Sequence, residues 1–501
     1  MTTTLTDDMV SFGRRITDLA VAEPDAVAAV FAPKAGPHLV ITRRTLDERS
    51  TQLARLLAER GAGPGTMLAV ALPNSPEHLY AAIGAWKAGA GVLPMRADLP
   101  DWERDRLLAV AGVALLVGDT AGAAVPVVTS AEVVGSTDRS AEPLPDVVPE
   151  PAIGIASSGS TGRPKVIISP LPGAAVPGAT PPMPALYIDL PPEMPQLIPA
   201  PLYHTNGFSV AHSTLFAGDT AILMEKFDAA QAIDLIDRYR VACFTAVPTM
   251  LGRMARVDGV RDRDLSCLVY VMYGGAPCPD WVIEAWFDLV GAEKFFFTYG
   301  SSERVGLAMM RGDEWLTHRG SCGRGYKTLI RILDDDDCEL APGEIGEIFM
   351  HQPENPGPTF EYVGAAQPRR TPDGYTTIGD LGWLDDDGYL YIADRRVDMI
   401  VSGGANVYPA EVEAALSEHP GVQDVIVIGL PDPEWGRRVH AIIEATDPAA
   451  PVTAPELDAF VRERLAAYKV PKDYEFVALM PRTDAGKINR GVLTEEREPA
   501  G

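Results

Sequence analysis

The sequence predicts an α/β protein in two parts: a large N-terminal domain of helix-covered sheets over residues 1–396 and a small α+β domain over residues 397–501. Three observations predict it. The chain has 501 residues, more than one hydrophobic core usually supports. Its first part alternates apolar stretches at helical spacing with short apolar runs, the pattern of parallel sheets covered by helices. Near residue 395 that alternation stops and a different, compact pattern begins.

Taken in order, "TRRTLDERSTQLARLLAERG" repeats its apolar residues at helical spacing, "MLAVAL" reads as a short buried strand, and "SPEHLYAAIGAWKAGAGVLPM" as a helix running into a strand. The proline-rich stretch "SPLPGAAVPGATPPMPALYIDLPPEMPQLIPAP" interleaves apolar residues throughout, which predicts an ordered surface excursion rather than a linker. "WLDDDGYLYIADRR" predicts a hairpin turning at Asp387-Gly388. Beyond it, "YPAEVEAALSEHPG" predicts a helix with Pro409 in its first turn, ended by Pro420-Gly421. "VQDVIVIGL" and "RVHAIIEA" read as strands, and "TAPELDAFVRERLAAY" as a helix opened by a Thr453/Glu456 capping box.

A formal net charge of -26 argues against binding nucleic acid through its phosphates and against stable docking on anionic lipid. The N-terminus lacks a basic start followed by an apolar core, and no stretch is apolar for long enough to cross a bilayer, so a cytosolic protein is expected. Five cysteines without a CxxC pair fit reduced, structural thiols. Eight histidines form no HExxH, and the acidic run Asp334 to Asp337 lacks the glycine of an EF-hand. No GxSxG nucleophile motif occurs.

The stretch "IASSGSTGRPKVIIS", from Ile155 to Ser169, carries the strongest local signal. Gly154 and Gly159 have Walker spacing, but Ser160 stands where the lysine is required, so a P-loop NTPase is excluded. What remains is a loop of backbone amides and hydroxyls able to wrap anionic oxygens, with Arg163 and Lys165 as cations, or else a plain polar surface loop.

Five further blocks decide between them: "PLYHTNGF" from Pro201, "YGGAP" from Tyr273, "YGSSE" from Tyr299, "TTIGDLGWLDDDGYLYIADRRVDMIVSGGANVYPAEVE" from Thr376, and "PRTDAGKINR" from Pro481. In this order, and over nearly the whole chain, they resemble the adenylate-forming superfamily of acyl-CoA synthetases, luciferases and peptide-synthetase adenylation domains. The resemblance implies an acyl-CoA ligase using ATP, Mg2+ and coenzyme A, with the small domain as a mobile lid. It implies that Ser157, Ser158, Gly159, Ser160, Thr161, Gly162 and Lys165 surround the β- and γ-phosphates, and that Glu303, after Tyr299, Gly300, Ser301 and Ser302, is the Mg2+ ligand. Asp380 corresponds to the acid that binds the ribose hydroxyls, Arg395 to an arginine near ribose and phosphate, and Gly274, Gly275 and Ala276 to the segment against adenine.

Lys487 is similar to the lysine that bridges the substrate carboxylate and the α-phosphate. It is expected to be the main catalytic group of the first half-reaction. Lid rotation then replaces it with Ser402, Gly403 and Gly404 beside the pantetheine thiol, and His204 resembles the residue gating the acyl pocket. The block after Asp394 is most similar to fatty-acid and bile-acid or steroid-type CoA ligases, which implies a sizeable, apolar acid: fatty, steroidal or terpenoid. Alternative readings are thioesterification only, loading onto a phosphopantetheine carrier protein, and a non-catalytic nucleotide-binding protein; a homodimer also stays open. Three departures stand out: Val397 at the expected pivot, Arg304 as a cation beside the metal position, and Val166 where a glycine is usual.

Overall fold

A computed structural model describes residues 9–157, 165–178, 183–355, 357–395, 398–483 and 488–498, with Ser157 and Arg395 described by their backbone alone. Residues 158–164, Arg396, Val397 and Lys487 therefore lie outside the described residues.

The apolar runs in the first part assemble into a nine-stranded sheet, ordered Arg324–Gly325, Leu307–Arg311, Phe295–Gly300, Tyr270–Tyr273, Cys243–Ala246, Gln196–Ile198, Ala221–Met224, Val27–Ala32, Leu39–Thr42. The six strands from Phe295–Gly300 to Val27–Ala32 pair in parallel, and the outer pairings are antiparallel. Runs such as "AILM" and "YVMY" are buried at every position, as expected of parallel strands covered on both faces. A second, four-stranded parallel sheet contains "MLAV" at Met67–Val70.

Helices Arg43–Glu59 and Pro76–Lys87 start where the sequence predicts, capped by Thr42 and Ser75. Lys87, in the last turn of its helix, is buried rather than solvated. Its Nζ reaches Asp47 Oδ1 at 2.5 Å and Thr51 Oγ1 at 2.8 Å, and Thr17 donates to the same Asp47 oxygen at 2.7 Å, so one ion pair joins three helices. Removing one partner of such a buried pair typically costs about 3–5 kcal/mol.

Two antiparallel sheets follow. One is the three-stranded set Glu361–Val363, Lys165–Ile168, Gly154–Ser157; the other contains the predicted hairpin, Asp380–Leu384 with Leu390–Arg395, turning through Gly388 at φ +79°. They share a core of Ile155, Ile167, Ile348, Phe360 and Leu390. The proline-rich excursion is ordered where it is described: Ala174–Ala175 pairs with Val10–Ser11, and Tyr187 packs edge-on against Phe296 with ring centroids 5.7 Å apart.

The chain from Ile400 onward has its own five-stranded sheet and its own core, which includes Val412, Leu416, Val427, Val439, Leu457 and Val461. Pro409 opens the helix Pro409–Ser417, and the Thr453/Glu456 capping box forms. That second helix ends at Arg462, earlier than its apolar spacing suggests; a tight turn follows, in which Lys469 N donates to Ala466 O at 2.9 Å, and Leu465 and Val470 pack at the core on either side of it.

All five cysteines are free. Burial pushes the Cys243 thiol up to about 12 and those of Cys278 and Cys322 well above the ordinary range, which makes them inert packing groups. Among the described residues no helix is long and apolar enough to cross a membrane.

Candidate active site

The strands that flank the phosphate loop form a hairpin in which Ser157 pairs with Lys165 and Ile155 with Ile167. Strand Glu361–Val363 adds to its other side, with Tyr362 opposite Ile167. This pairing brings Tyr362 to Lys165, whose Nζ lies 3.6 Å from the centre of the Tyr362 ring. Glu303 closes the cluster: its Oε1 accepts from the Tyr362 hydroxyl at 2.6 Å and faces Lys165 Nζ at 3.6 Å. Glu303 is only 8% exposed. Burying a carboxylate is costly unless it is hydrogen-bonded and paired, and a phenol and an ammonium meet it here. Its backbone is fixed as well, since Thr359 Oγ1 donates to Glu303 O at 2.8 Å.

Gly274, Gly275 and Ala276 follow Tyr270–Tyr273, at the carboxyl end of a parallel strand where α/β sheets bind ligands. A Cβ at Gly274 would stand 2.6 Å from Thr298 Oγ1 and 2.8 Å from Thr298 O, so only glycine lets the two strand ends approach. Gly275 takes φ +89°, a conformation that side chains disfavour. On the next strand, Phe295–Gly300, Tyr299 donates to Asp380 Oδ2 at 2.6 Å, and Asp380 is buried opposite Arg395 in register. Thr377 supports this turn: its hydroxyl accepts from Gly379 N at 3.0 Å and donates to Glu347 Oε1 at 2.8 Å.

His204 occupies the N-cap of helix Thr205–Ala217 without a side-chain capping bond, and its ring packs on Tyr203 at 4.4 Å. The helix can begin there because Gly207 passes close to Pro201 O, 2.2 Å from where a Cβ would lie. One residue on, Thr205 shares a 2.6 Å hydrogen bond with Ser302 and so ties the helix to the "YGSSE" turn. Ser301 Oγ is buried there with no hydrogen-bond partner among the described residues.

In the small domain, Gly403 and Gly404 make a two-residue hairpin turn with φ +57° and +82°, the left-handed pair such turns favour. Ser402 is buried beside it. Gly403 N donates to Trp435 O at 2.8 Å, and a Cβ on Gly403 would meet the Trp435 ring at 2.7 Å.

The structure corrects one expectation. Arg304 follows Glu303 but does not sit beside its carboxylate; Lys165 does. The turn from Ser301 puts Arg304 at φ +53°, and its side chain lines a separate cleft with Thr205 and Ser209. The residue is exposed there, and among the described residues no carboxylate pairs with its guanidinium. Val166 is fully buried in the core shared with Leu93 and Leu116, which a glycine would leave underfilled. Tyr362 and Thr359 were not found by sequence reasoning: "PTFEYVG" carries no motif, and only the strand pairing brings them to Glu303.

Gly274, Tyr299 and Glu303 thus lie at or just past the carboxyl ends of two neighbouring parallel strands, Tyr270–Tyr273 and Phe295–Gly300. Comparison with known proteins gives the same arrangement a family. Residues 17–356 match the family described as AMP-binding enzyme, and residues 411–487 match the AMP-binding enzyme C-terminal domain. A feruloyl-CoA synthase from Amycolatopsis sp is 33% identical over 470 residues, covering 90% of this chain and 93% of its own. A fatty acid–[acyl-carrier-protein] ligase, ScoC, from Streptomyces coeruleorubidus is 32% identical over 483 residues, with 91% of each chain covered. The o-succinylbenzoate CoA synthetase (MenE) from Bacillus subtilis, solved with its acyl-adenylate intermediate, superposes with a TM-score of 0.82 at 26% identity, covering 99% of this chain and 100% of that one. The chain belongs to the AMP-binding enzyme family, as an adenylate-forming enzyme of the acyl-CoA ligase group.

Proposed function

We propose that this enzyme condenses a carboxylic acid of apolar body with ATP, giving acyl-AMP and pyrophosphate, and then transfers the acyl group to the thiol of coenzyme A with release of AMP. The observation that carries the proposal is the buried Glu303, held by Tyr362 and Lys165 where the phosphate loop begins and ends. Two anions must meet in the first step, so cations have to gather at the phosphates. Lys165 supplies one from the loop's edge. Among the described residues no three His, Cys, Asp or Glu side chains converge. Glu303 would hold the metal, with nucleotide oxygens and water in the other positions, a set that suits magnesium. Bound there, the metal neutralises charge on the departing pyrophosphate.

Asp380, oriented by Tyr299, accepts from the ribose hydroxyls, with Arg395 across the strand pair from it. Gly274, Gly275 and Ala276 lie against the adenine. Lys487, outside the described residues, bridges the carboxylate and the α-phosphate. Residues 397–501 then rotate as the lid and bring Ser402, Gly403 and Gly404 toward the thiol, while His204 gates the acyl pocket. A cytoplasmic setting is supported by the five free thiols.

The similarity to an acyl-carrier-protein ligase makes the acceptor worth measuring. With one activated acid, coenzyme A is expected to outcompete a holo-carrier protein for acyl transfer, read as the ratio of kcat/KM values. A ratio favouring the carrier would assign the second half-reaction to carrier loading.

A further inference from the structure

The adenylation reading above gives Lys165 and Glu303 different partners, a phosphate and a metal, yet the two side chains face each other. Lys165 Nζ lies 3.6 Å from Glu303 Oε1 and 3.6 Å from the centre of the Tyr362 ring, while the Tyr362 hydroxyl donates to that same oxygen at 2.6 Å. The ring face and the carboxylate oxygen thus make a seat for one cation. Two walls of the seat are fixed. Tyr362 is the middle residue of strand Glu361–Val363, buried and in register with Ile167. Glu303 is anchored through its carbonyl, which accepts from Thr359 Oγ1 at 2.8 Å, and Lys165 is the one cation paired with its carboxylate among the described residues. The occupant is the part that moves most easily. Lys165 is the first residue of strand Lys165–Ile168, which follows the phosphate loop, and its ammonium sits on a flexible four-carbon stem.

We infer that Lys165 locks the metal position: paired with Glu303 it excludes a free divalent cation, and the phosphates of a nucleotide draw it away so that the metal enters with the nucleotide. This inference rests on the adenylation reading and deepens it. A divalent cation on Oε1 would share that oxygen with the ammonium, and like charges at such range repel. A triphosphate gives the ammonium a more highly charged partner, so the lysine leaves without losing its compensation. Glu303, only 8% exposed, then needs another cation, which the metal supplies. The metal bridges Glu303 and phosphate in any case, so cooperation between the two ligands does not distinguish the lock from a purely structural ion pair. Binding of the metal alone does.

The test uses the full chain and Mn2+ alone, a paramagnetic stand-in for magnesium, read by the loss of its free electron-spin-resonance signal in mildly alkaline buffer. With a net charge of -26, acidic surface groups bind metal too, so the readout is the component that Glu303→Gln removes. Without nucleotide, Lys165→Met, which keeps the apolar stem and removes the charge, should tighten that component by about 5- to 150-fold over the wild type. The double variant Lys165→Met/Glu303→Gln should lose the gain. Wild-type enzyme that binds Mn2+ at Glu303 as tightly as Lys165→Met overturns the lock. If Lys165→Met unfolds, Lys165→Gln takes its place, removing the charge while keeping a hydrogen-bond donor, with the same expectation and the same contradicting result. Mn2+ held together with a nonhydrolysable ATP analogue separates the two readings. If Glu303→Gln weakens that complex while neutral residue 165 leaves the metal-alone component unchanged, the adenylation reading stands and the lock falls; if Glu303→Gln leaves the complex unchanged, the metal reading falls and takes the lock with it.

Discussion

Glu303→Gln is expected to slow acyl-AMP formation about 10²- to 10³-fold, the scale seen when one electrostatic contact to a transition state is removed. Glutamine keeps the volume and can still accept from the Tyr362 hydroxyl, which sits 2.6 Å from Glu303 Oε1. What it removes is the charge. Lys165 Nζ, 3.6 Å from that oxygen, loses its counter-ion, and magnesium loses the only carboxylate proposed to hold it. The diagnostic readout is the magnesium dependence of ATP–pyrophosphate exchange, whose midpoint should move to higher concentration. Thioester formation from synthetic acyl-AMP needs no pyrophosphate to depart and should stay near the wild-type rate. An unaltered magnesium midpoint would remove Glu303 from the metal site. Tyr362→Phe, which deletes one hydrogen bond to the charged group, should move the midpoint in the same direction by less.

Lys487→Ala is expected to cost acyl-AMP formation at least as much and to spare the second half-reaction. Well-ordered arginines stand on both sides of the segment that carries this lysine. Arg482 clasps Asp424 through two bonds of 2.5 and 2.6 Å, and Arg490 binds both oxygens of Glu413 at 2.7 and 2.9 Å and approaches Asp398 at 3.3 Å. Burial opposes the charge of Arg490, yet the surrounding carboxylates Glu413, Asp394 and Asp398 raise its pKa well above the usual guanidinium range. The described residues on either side of this lysine are thus tied to Asp398, Glu413 and Asp424 in the first part of the small domain. Rates of acyl-AMP formation and of thioester formation from synthetic acyl-AMP, measured separately, check the split. Equal loss in both steps would mean that Lys487 acts through stability rather than at the α-phosphate.

The fold was legible where one physical signal dominated. The run "MLAVAL" reads as a buried strand and forms one at Met67–Val70, and the Gly388 turn, Pro409 and the Thr453/Glu456 box mark their own ends. The glycines and hydroxyls proposed to face the nucleotide stand out in the sequence because they cluster within short stretches. Long-range pairing was not. Tyr362 reaches Glu303 only because its strand joins the phosphate-loop hairpin, a contact that no local pattern encodes. Lys87 sits where a helix usually ends in a solvated cation, and its burial depends on Asp47 and Thr51 of another helix. Arg304 shows the limit most clearly: adjacency to Glu303 suggested a shared site, and a single positive φ sends the two side chains apart.

The most direct test of the central claim is ATP–pyrophosphate exchange by the wild-type enzyme across a panel of fatty, aromatic and steroidal acids, with thermal stabilisation by ATP measured in parallel. The account predicts stabilisation together with magnesium-dependent exchange that appears only when a suitable acid is added. Stabilisation by ATP without exchange or thioester formation for any acid would contradict it and leave a nucleotide-binding protein that has kept the fold without the chemistry.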